Sequence, residues 1–447
     1  MPSTIASPAR RTGAGAALLV VVLAATACTP AATVSPSPSQ AATPAPSASA
    51  GEASPSIVAP SGEPIRVGST LSPTGAFGAT GVIHKIVGEQ FVAALNANGG
   101  LLGRPVQWEV LDDESDQAKV TSLYERLISQ DGVDLIMGPY ATPNILSAMA
   151  VAERHAFVLP QHTAVIAPLM GYDCQFPGWS IGTAPNEYVP NLVFDALASL
   201  PTPPKKIVVA ANQNGSTDFV ANGLPDDPND PSVANVAEGR QLEVAANIQY
   251  PPTTTDWTPI AAQIRDAAPD FVFNSAIGVD TVNLIQAMEQ LSYRPPMMFS
   301  LFPAPGPLLG VGEAAEGVLS VSLFESNEPL LEAAGPEVRT IVEEYQEATA
   351  AAGLPYTAWE TQATASWNTW EILIAGVQGA GSLEHDAICA ALHENGADTT
   401  FSGQLTFDPE DNNFWEPAQL IKQIQGGEWV AVWPADHAAA PLKGPQG

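Results

Sequence analysis

Three groupings of reactive side chains in this 447-residue chain invite a chemical reading. His385, Cys389 and His393 recur at four-residue intervals on a segment of helical character, a spacing at which neighbouring side chains can share a metal ion. The outer two cannot join one site, because residues eight apart lie about 12 Å apart along a helix axis. Asp112 and Asp113 are paired carboxylates, the residue type of acid–base catalysis. Adjacent residues on a strand point to opposite faces, so the pair reads as a solvated loop. Cys174 and Cys389 can pair as a disulfide or lie apart as two buried thiols. No His-Glu-x-x-His, no phosphate-binding loop with its Lys and no nucleophile elbow is expected. The expectation is a chain without catalysis, metal or cofactor.

The elements that would position these residues alternate in type. Ile65 to Gly68 reads as a strand, followed from about Thr80 by a helix whose Val82, Ile86, Phe91, Ala94 and Leu95 fall near helical spacing. Asn98-Gly99-Gly100 stops it. A strand over Val106 to Leu111, a helix capped by Ser115-Asp116, a strand at Leu135 to Met137, a helix from Pro143 to His155 and a strand at Phe157 to Leu159 continue the rhythm. It restarts at Lys206, with strands at Ile207–Ala210, Phe271–Phe273 and Met297–Phe299 and helices over 259–268 and 279–291. Residues 212–235, rich in Gly, Pro, Asp and Asn, read as a surface excursion. From Phe401 the pattern becomes strand-like over 404–407, 418–423 and 429–433. Such β-α alternation predicts an α/β fold with parallel sheets covered by helices, in two units facing one another. A cleft between two such units is the default ligand site.

The N-terminus reads as an export signal (residues 1–27): Arg10 and Arg11, an apolar run from Gly13 to Leu23 too short to span a bilayer, then Ala24-Ala25-Thr26-Ala27 before Cys28. The run ending in Cys resembles the lipobox of bacterial lipoproteins, although Ala25 stands where Leu is usual. Lipidation of Cys28 is the expectation; an ordinary cleaved signal leaving a free thiol is the alternative. The Arg pair suits twin-arginine export, but Thr12-Gly13-Ala14 lacks the apolar residues that should follow. Residues 28–62 are nearly all Ala, Pro, Ser and Thr, too polar to bury a core, and read as an extended tether. Three cysteines in an exported chain leave Cys174 and Cys389 once Cys28 is lipidated. The formal charge of −31 excludes a nucleic-acid binder, which neutralises phosphates with Lys and Arg. It also disfavours direct contact with anionic lipid, so any membrane association would run through the anchor alone.

Five motifs occur in order: Gly68-Ser69-Thr70-Leu71-Ser72-Pro73-Thr74-Gly75, Asn96-Ala97-Asn98-Gly99-Gly100-Leu101-Leu102-Gly103-Arg104, Asp112-Asp113-Glu114-Ser115-Asp116, Gly138-Pro139-Tyr140-Ala141-Thr142 and Gly403-Gln404-Leu405-Thr406-Phe407-Asp408. Together they resemble the periplasmic binding proteins of type I that serve branched-chain amino acids and related solutes. The resemblance implies two Rossmann-like lobes joined by three hinge crossings, one lobe over 64–185 and 323–403, the other over 186–322 and 404–437, with a tail at 438–447. It implies a monomer, held to the outer face of the cell membrane, that delivers a small molecule to an ABC permease and its ATPase. Both Cys174 and Cys389 would then fall in the first lobe, which strengthens their pairing.

By the same resemblance, Thr142 and Thr163 would grip a carboxylate together with Tyr140, Ala141 and neighbouring amides, where helix N-termini favour anions. Simple helix capping by each Thr is the alternative. His162 would donate to an anion when protonated, or be a solvated loop histidine. Ser216, Ile277 and Phe302 match the second-lobe positions that hold an amino acid's ammonium, yet none is acidic; Glu187 or Asp280 would have to substitute. With Phe77 and Tyr140 these residues suggest an apolar pocket, so the solute is expected to be an amino acid, an amide or a small organic or aromatic acid. A ligand-sensing receptor module of the same fold is the rival reading. Such modules usually continue into a membrane span, whereas this sequence ends at Gly447 soon after its last strand.

Overall fold

The computed structural model describes residues 59–227, 230–416 and 418–445. The export signal, Cys28 and most of the tether lie outside them. The tether's last residues are already docked: the Ser61 amide donates to the Gly103 carbonyl at 2.9 Å, so the folded part begins before residue 63.

The first sheet is built around β1 (Ile65–Leu71), flanked in parallel by β2 (Val106–Asp112) and β3 (Leu135–Met137) in the order β2-β1-β3. Six of the seven β1 residues are buried, as a central parallel strand between helical layers requires. The covering helices are α1 (Gly78–Ala97), α2 (Gln117–Arg126) and α3 (Thr142–His155). Asp116 caps α2 by accepting from the Ala118 and Lys119 amides. A separate parallel pair, β4 (Leu159–Gln161) and β5 (Gln175–Pro177), completes this part; β4 lies two residues beyond the strand expected at 157–159. Asp113 is not solvated. It is fully buried and accepts from Thr70 (2.8 Å), Ser72 and the Ser115 amide (2.9 Å), tying the first two strand-end loops together.

The second unit follows with α4 (Pro185–Ala198), β6 (Lys206–Asn212), α5 (Gly215–Asn222), α6 (Val233–Gly239), β7 (Glu243–Tyr250), α7 (Thr258–Ala267), β8 (Phe271–Gly278), α8 (Asp280–Gln290), β9 (Met298–Pro303), α9 (Pro305–Leu309) and β10 (Leu319–Ser322). The stretch expected as a surface excursion holds α5 and the start of α6, with Ser216, Thr217, Phe219 and Val220 buried. Its polar composition is that of two helix starts, where Ser, Asn and Gly are favoured. The chain then returns to the first unit through α10 (Glu328–Ala334), α11 (Pro336–Ala351), α12 (Thr361–Ala380), α13 (His385–Asn395) and the hairpin β11 (Ala397–Thr399)–β12 (Gly403–Leu405). It ends with β13 (Leu420–Gln425) and β14 (Glu428–Trp433) in the second sheet, whose seven strands run β14-β13-β10-β9-β8-β6-β7. β13 and β14 pair antiparallel; the other five strands are parallel.

The last crossing lies later than residue 404. Leu405, Phe407 and Trp415 pack in the core around β1, α1 and α12, whereas Ile421 packs in the second core, so the chain changes lobes between Trp415 and Leu420. The three crossings run side by side. Ser180 in the first donates to the Trp415 carbonyl at 2.5 Å in the third, and Gln419 returns a bond to the Ser180 carbonyl at 3.2 Å. At the second, buried Glu325 meets buried Lys422 of β13 at 2.7 Å, with Glu360 3.6 Å away. Cys174 and Cys389 are joined, Cα to Cα 5.4 Å, fastening α13 to the loop before β5 within the first lobe.

Candidate functional site

The loop from β3 into α3 begins the site. Ala141 precedes α3 with φ +70° and ψ 139°, a conformation that an L residue rarely adopts, and such strain gathers where a loop is held for function. Thr142 is therefore the first helical residue and does not cap α3. Its hydroxyl instead bonds the Ser216 hydroxyl of α5, across the two lobes. Thr163, in the loop after β4, caps nothing either: its Oγ1 is buried with no partner. The capping alternative fails for both.

Tyr140, Ala141, Thr142, Thr163, Ser216, Ile277 and Phe302 line one cavity of about 20 Å³, with Trp179 and Gln362 completing its wall. That volume holds a single water molecule. A solute of several heavy atoms enters only if the lobes part and the Thr142–Ser216 bond opens. Three helix N-termini converge here: Thr142 starts α3, Ser216 lies in the first turn of α5, and Gln362 lies in that of α12. Amide-rich helix starts with hydroxyls beside them form a ready anion cradle. Across from them, the Trp179 and Phe302 rings meet edge to face at 5.3 Å, giving the chamber an apolar wall.

Trp179 and Gln362 escape the reading of the sequence. Trp179 arrives on the first crossing and Gln362 on the helix after the second, so each is placed by chain topology. A usable signal existed for Trp179. Gly178-Trp179-Ser180-Ile181-Gly182 carries the Gly-x-Ser-x-Gly spacing, contrary to the expectation that none is present. Ser180 is fully buried, engaged with the Trp415 carbonyl and the Gly182 amide, and meets no histidine, so the spacing serves the hinge. Gly178 itself is demanded by packing: a Cβ there would sit 2.1 Å from the Thr369 hydroxyl.

His162 is buried rather than solvated, and it lines neither interlobe cavity. It is 1 % exposed, burial pushes its imidazole down to about 4, and its Nδ1 faces the Pro139 carbonyl at 3.3 Å. Its ring packs 4.5 Å from His84, which in turn lies 5.0 Å from Tyr140. Burial also holds His84 well below the ordinary imidazole value, so at neutral pH this cluster is uncharged. Phe77 packs edge-on against Tyr140 and lines an adjoining cavity with Ile277 and Asp280. Glu187 is exposed in the first turn of α4 and lines neither cavity.

The residues of the metal-like spacing have separate partners. Cys389 is in the disulfide, His385 stacks on Phe157 at 3.8 Å, and His393 bonds the Asn413 side chain at 3.0 Å. Among the described residues no group of three or more metal-ligating side chains converges. Two of the larger cavities, about 370 Å³ against the back of α8 and about 630 Å³ beside the crossings, lie away from it. Neither is reached by the loops at the strand ends, so size alone does not mark the site.

Two α/β lobes on parallel sheets, joined by three crossings and meeting over a cavity at their strand ends, define a two-lobe architecture of the type I periplasmic-binding-protein kind. The chain belongs to the periplasmic binding protein family, whose model matches residues 64–428. Among curated proteins it is similar to Leu/Ile/Val-binding protein homolog 8 of Brucella abortus, 26 % identical over 212 residues, covering 46 % of this chain. The chain spans about half the length of the curated relatives it matches. Its fold is that of a Rhodopseudomonas palustris ABC-transporter solute-binding protein in complex with benzoate (TM-score 0.65, 18 % identity, 86 % of this chain and 98 % of that one). The same holds for the leucine-binding protein LivK of Thermotoga maritima (0.64, 17 %, 82 % and 97 %). LivJ of Streptococcus pneumoniae with isoleucine also matches (0.65, 16 %, 82 % and 98 %).

Proposed function

We propose that this protein is the extracytoplasmic, lipid-anchored solute-binding subunit of an ABC importer, and that it closes its two lobes on a small carboxylate-bearing molecule. The convergence of the α3, α5 and α12 starts on one cavity carries the reading, with the unpartnered Thr163 hydroxyl inside it. In the open form the first lobe would take the carboxylate on Thr142, Thr163 and the amides beside them. Charge-assisted hydrogen bonds of this kind are about twice as strong as neutral ones. The second lobe would then close, bringing Ser216 to the acid and Ile277 and Phe302 to the apolar remainder. Closure is favoured only by the solute's greater affinity for the closed pair. An ABC permease would read the closed lobe surfaces, and lipid on Cys28 would keep the protein beside it.

A thermal-shift screen of the purified chain tests this, with amino acids, short amides, and aliphatic and aromatic carboxylates as the panel. A bound solute at 100 times its Kd adds about 2.7 kcal/mol of stability. Stabilisation by carboxylate-bearing solutes, lost in Thr142→Ala, is the expected result. Silence across the panel, or equal stabilisation of the variant, would overturn the reading.

A further inference from the structure

Three charged side chains are buried together where the second and third crossings pass. Glu325 lies on the second crossing, Lys422 on β13 just beyond the third, and Glu360 at the capping position of α12; none is more than 3 % exposed. The Lys422 ammonium meets Glu325 at 2.7 Å and Glu360 at 3.6 Å, and lies 4.8 Å from the centre of the Trp429 ring. Two carboxylates thus share one cation. With all three ionised, the cluster holds a surplus negative charge out of water, which is strongly unfavourable.

The surplus falls on Glu360. Glu325 has the closer contact with Lys422 and also accepts from the Ser322 hydroxyl at 2.6 Å. Glu360 has the looser contact and accepts from the Gln362 amide at 2.9 Å. Burial pushes its carboxyl up to about 7, against the pull of Lys422 and with Glu325 adding to the rise. The other titratable groups that feel it are the phenols of Tyr345 on α11, Tyr356 before α12 and Tyr140 on the loop into α3. Burial raises each of them and Glu360 adds to the rise, with Glu325 and Glu428 acting on Tyr356 as well, so all three stay protonated.

The cluster also spans the lobes. Trp359 and Ala363, on either side of Glu360, pack in the first core, whereas Ser322 of β10 and Lys422 of β13 belong to the second sheet. The Thr361 hydroxyl pairs with that of Ser322 at 2.7 Å and accepts from the Leu323 amide at 3.2 Å. One residue further on, Gln362 lines the inner chamber. The start of α12 therefore touches the cleft on one side and the buried charges on the other.

We propose that Lys422, Glu325 and Glu360 form a proton-gated latch on lobe movement, in which Glu360 is protonated while the lobes are closed and releases its proton to solvent as they part. Parting turns α12 away from β13, opens the Glu360–Lys422 contact and admits water to the carboxyl, which then ionises near its ordinary value of 4.5. Closing takes the proton back and removes the surplus charge from the cluster. The closed form thus has the higher proton affinity, so its advantage is complete below 4.5 and is lost as pH rises through about 7. Uptake of one proton changes the closed-to-open ratio by about tenfold per pH unit at most. The latch works whichever solute occupies the cleft, and stands apart from the carboxylate reading.

The test is the distance between two spin labels, one per lobe, measured by pulsed dipolar spectroscopy on the full chain without solute at pH 5.5, 6.5 and 8. Ser122→Cys on α2 and Thr255→Cys in the loop after β7, both exposed, carry the labels. The closed-to-open ratio should be on the order of tenfold higher at pH 5.5 than at pH 8. Glu360→Gln, neutral throughout, should hold the ratio at its acid value at every pH. Glu325→Gln leaves Lys422 to Glu360 alone and should move the midpoint of the change down by about one unit or more, a second reading should Glu360→Gln fail to fold. A ratio that does not move with pH, a movement that survives in Glu360→Gln, or an unshifted midpoint in Glu325→Gln overturns the latch.

Discussion

The two lobes share an architecture but differ in how they are held and in what they offer the cleft. The second is organised on one continuous seven-stranded sheet, and its contribution to the inner chamber is a single hydroxyl and two apolar side chains. The first has a three-stranded sheet and two separate two-stranded pairs, is fastened by the Cys174–Cys389 bond, and carries the strained Ala141 loop and the unpaired Thr163 hydroxyl. A lobe that must present fixed donors needs its loops over-determined. A lobe that closes as a cover needs mainly shape. The contrast teaches that the specific grip and the mobile cover are built with different means, although the chain alternates between them three times.

The largest effect expected from breaking this comparison is on stability. The bond closes a loop with a sequence separation of 215, for which chain entropy gives roughly 5 kcal/mol. The paired Cys174→Ser, Cys389→Ser variant should unfold its first lobe earlier than its second, splitting one denaturation transition into two. A single unshifted transition would show that the first lobe does not depend on its staple.

Next comes the hinge. Glu360 is buried beside Lys422 and Glu325, caps α12 through the Gln362 amide, and is pushed up to about 7 by burial, which Glu325 reinforces and Lys422 opposes. A carboxyl raised on folding takes up a proton as the chain folds. The associated stability is therefore present below the unfolded value near 4.5 and is lost as pH rises through about 7. This amounts to on the order of 3 kcal/mol. Glu360→Gln should flatten the fall in melting temperature between pH 5 and pH 8, and an unchanged slope would remove Glu360 from the account.

Smaller again is the loss of one grip. Thr142→Ala should cost roughly 2 kcal/mol of binding to a carboxylate solute, the usual worth of a hydrogen bond to a charged group. Phe302→Leu, on the cover, should cost less than that for aliphatic solutes. Calorimetry that ranked the two the other way would reverse the roles given to the lobes. The smallest effect is expected at Gly215, where an added Cβ would press to 3.2 Å on the Thr142 methyl and φ is +31°. Gly215→Ala should hold the lobes slightly apart and weaken binding a few-fold.

Much of this was legible in the sequence where the residues themselves carry the signal. The alternating apolar runs located β1, β2, β3, β6, β8 and β9 and the helices α1, α2, α3, α7 and α8, but not α4 or α10 to α12, and the Gly138–Thr142 and Gln161–Thr163 loops fall at strand ends. What stayed hidden depends on partners far along the chain. Asp113 looks solvated until Thr70 and Ser72 are brought to it, and His162 looks solvated until His84 of α1 is packed on its ring. Trp179 and Gln362 reach the cavity only through the crossings. The 212–235 stretch misled because the residues that begin helices are also those that make loops.

Hydrogen–deuterium exchange of the purified chain, with and without a carboxylate that stabilises it, tests the central claim most directly. Closure on the inner chamber predicts added protection in both lobes at once, around residues 138–146 and 161–165 and around 214–220 and 275–282. Protection confined to one lobe, or gathered at the cavity behind α8 near Tyr293 and Met297, would contradict it.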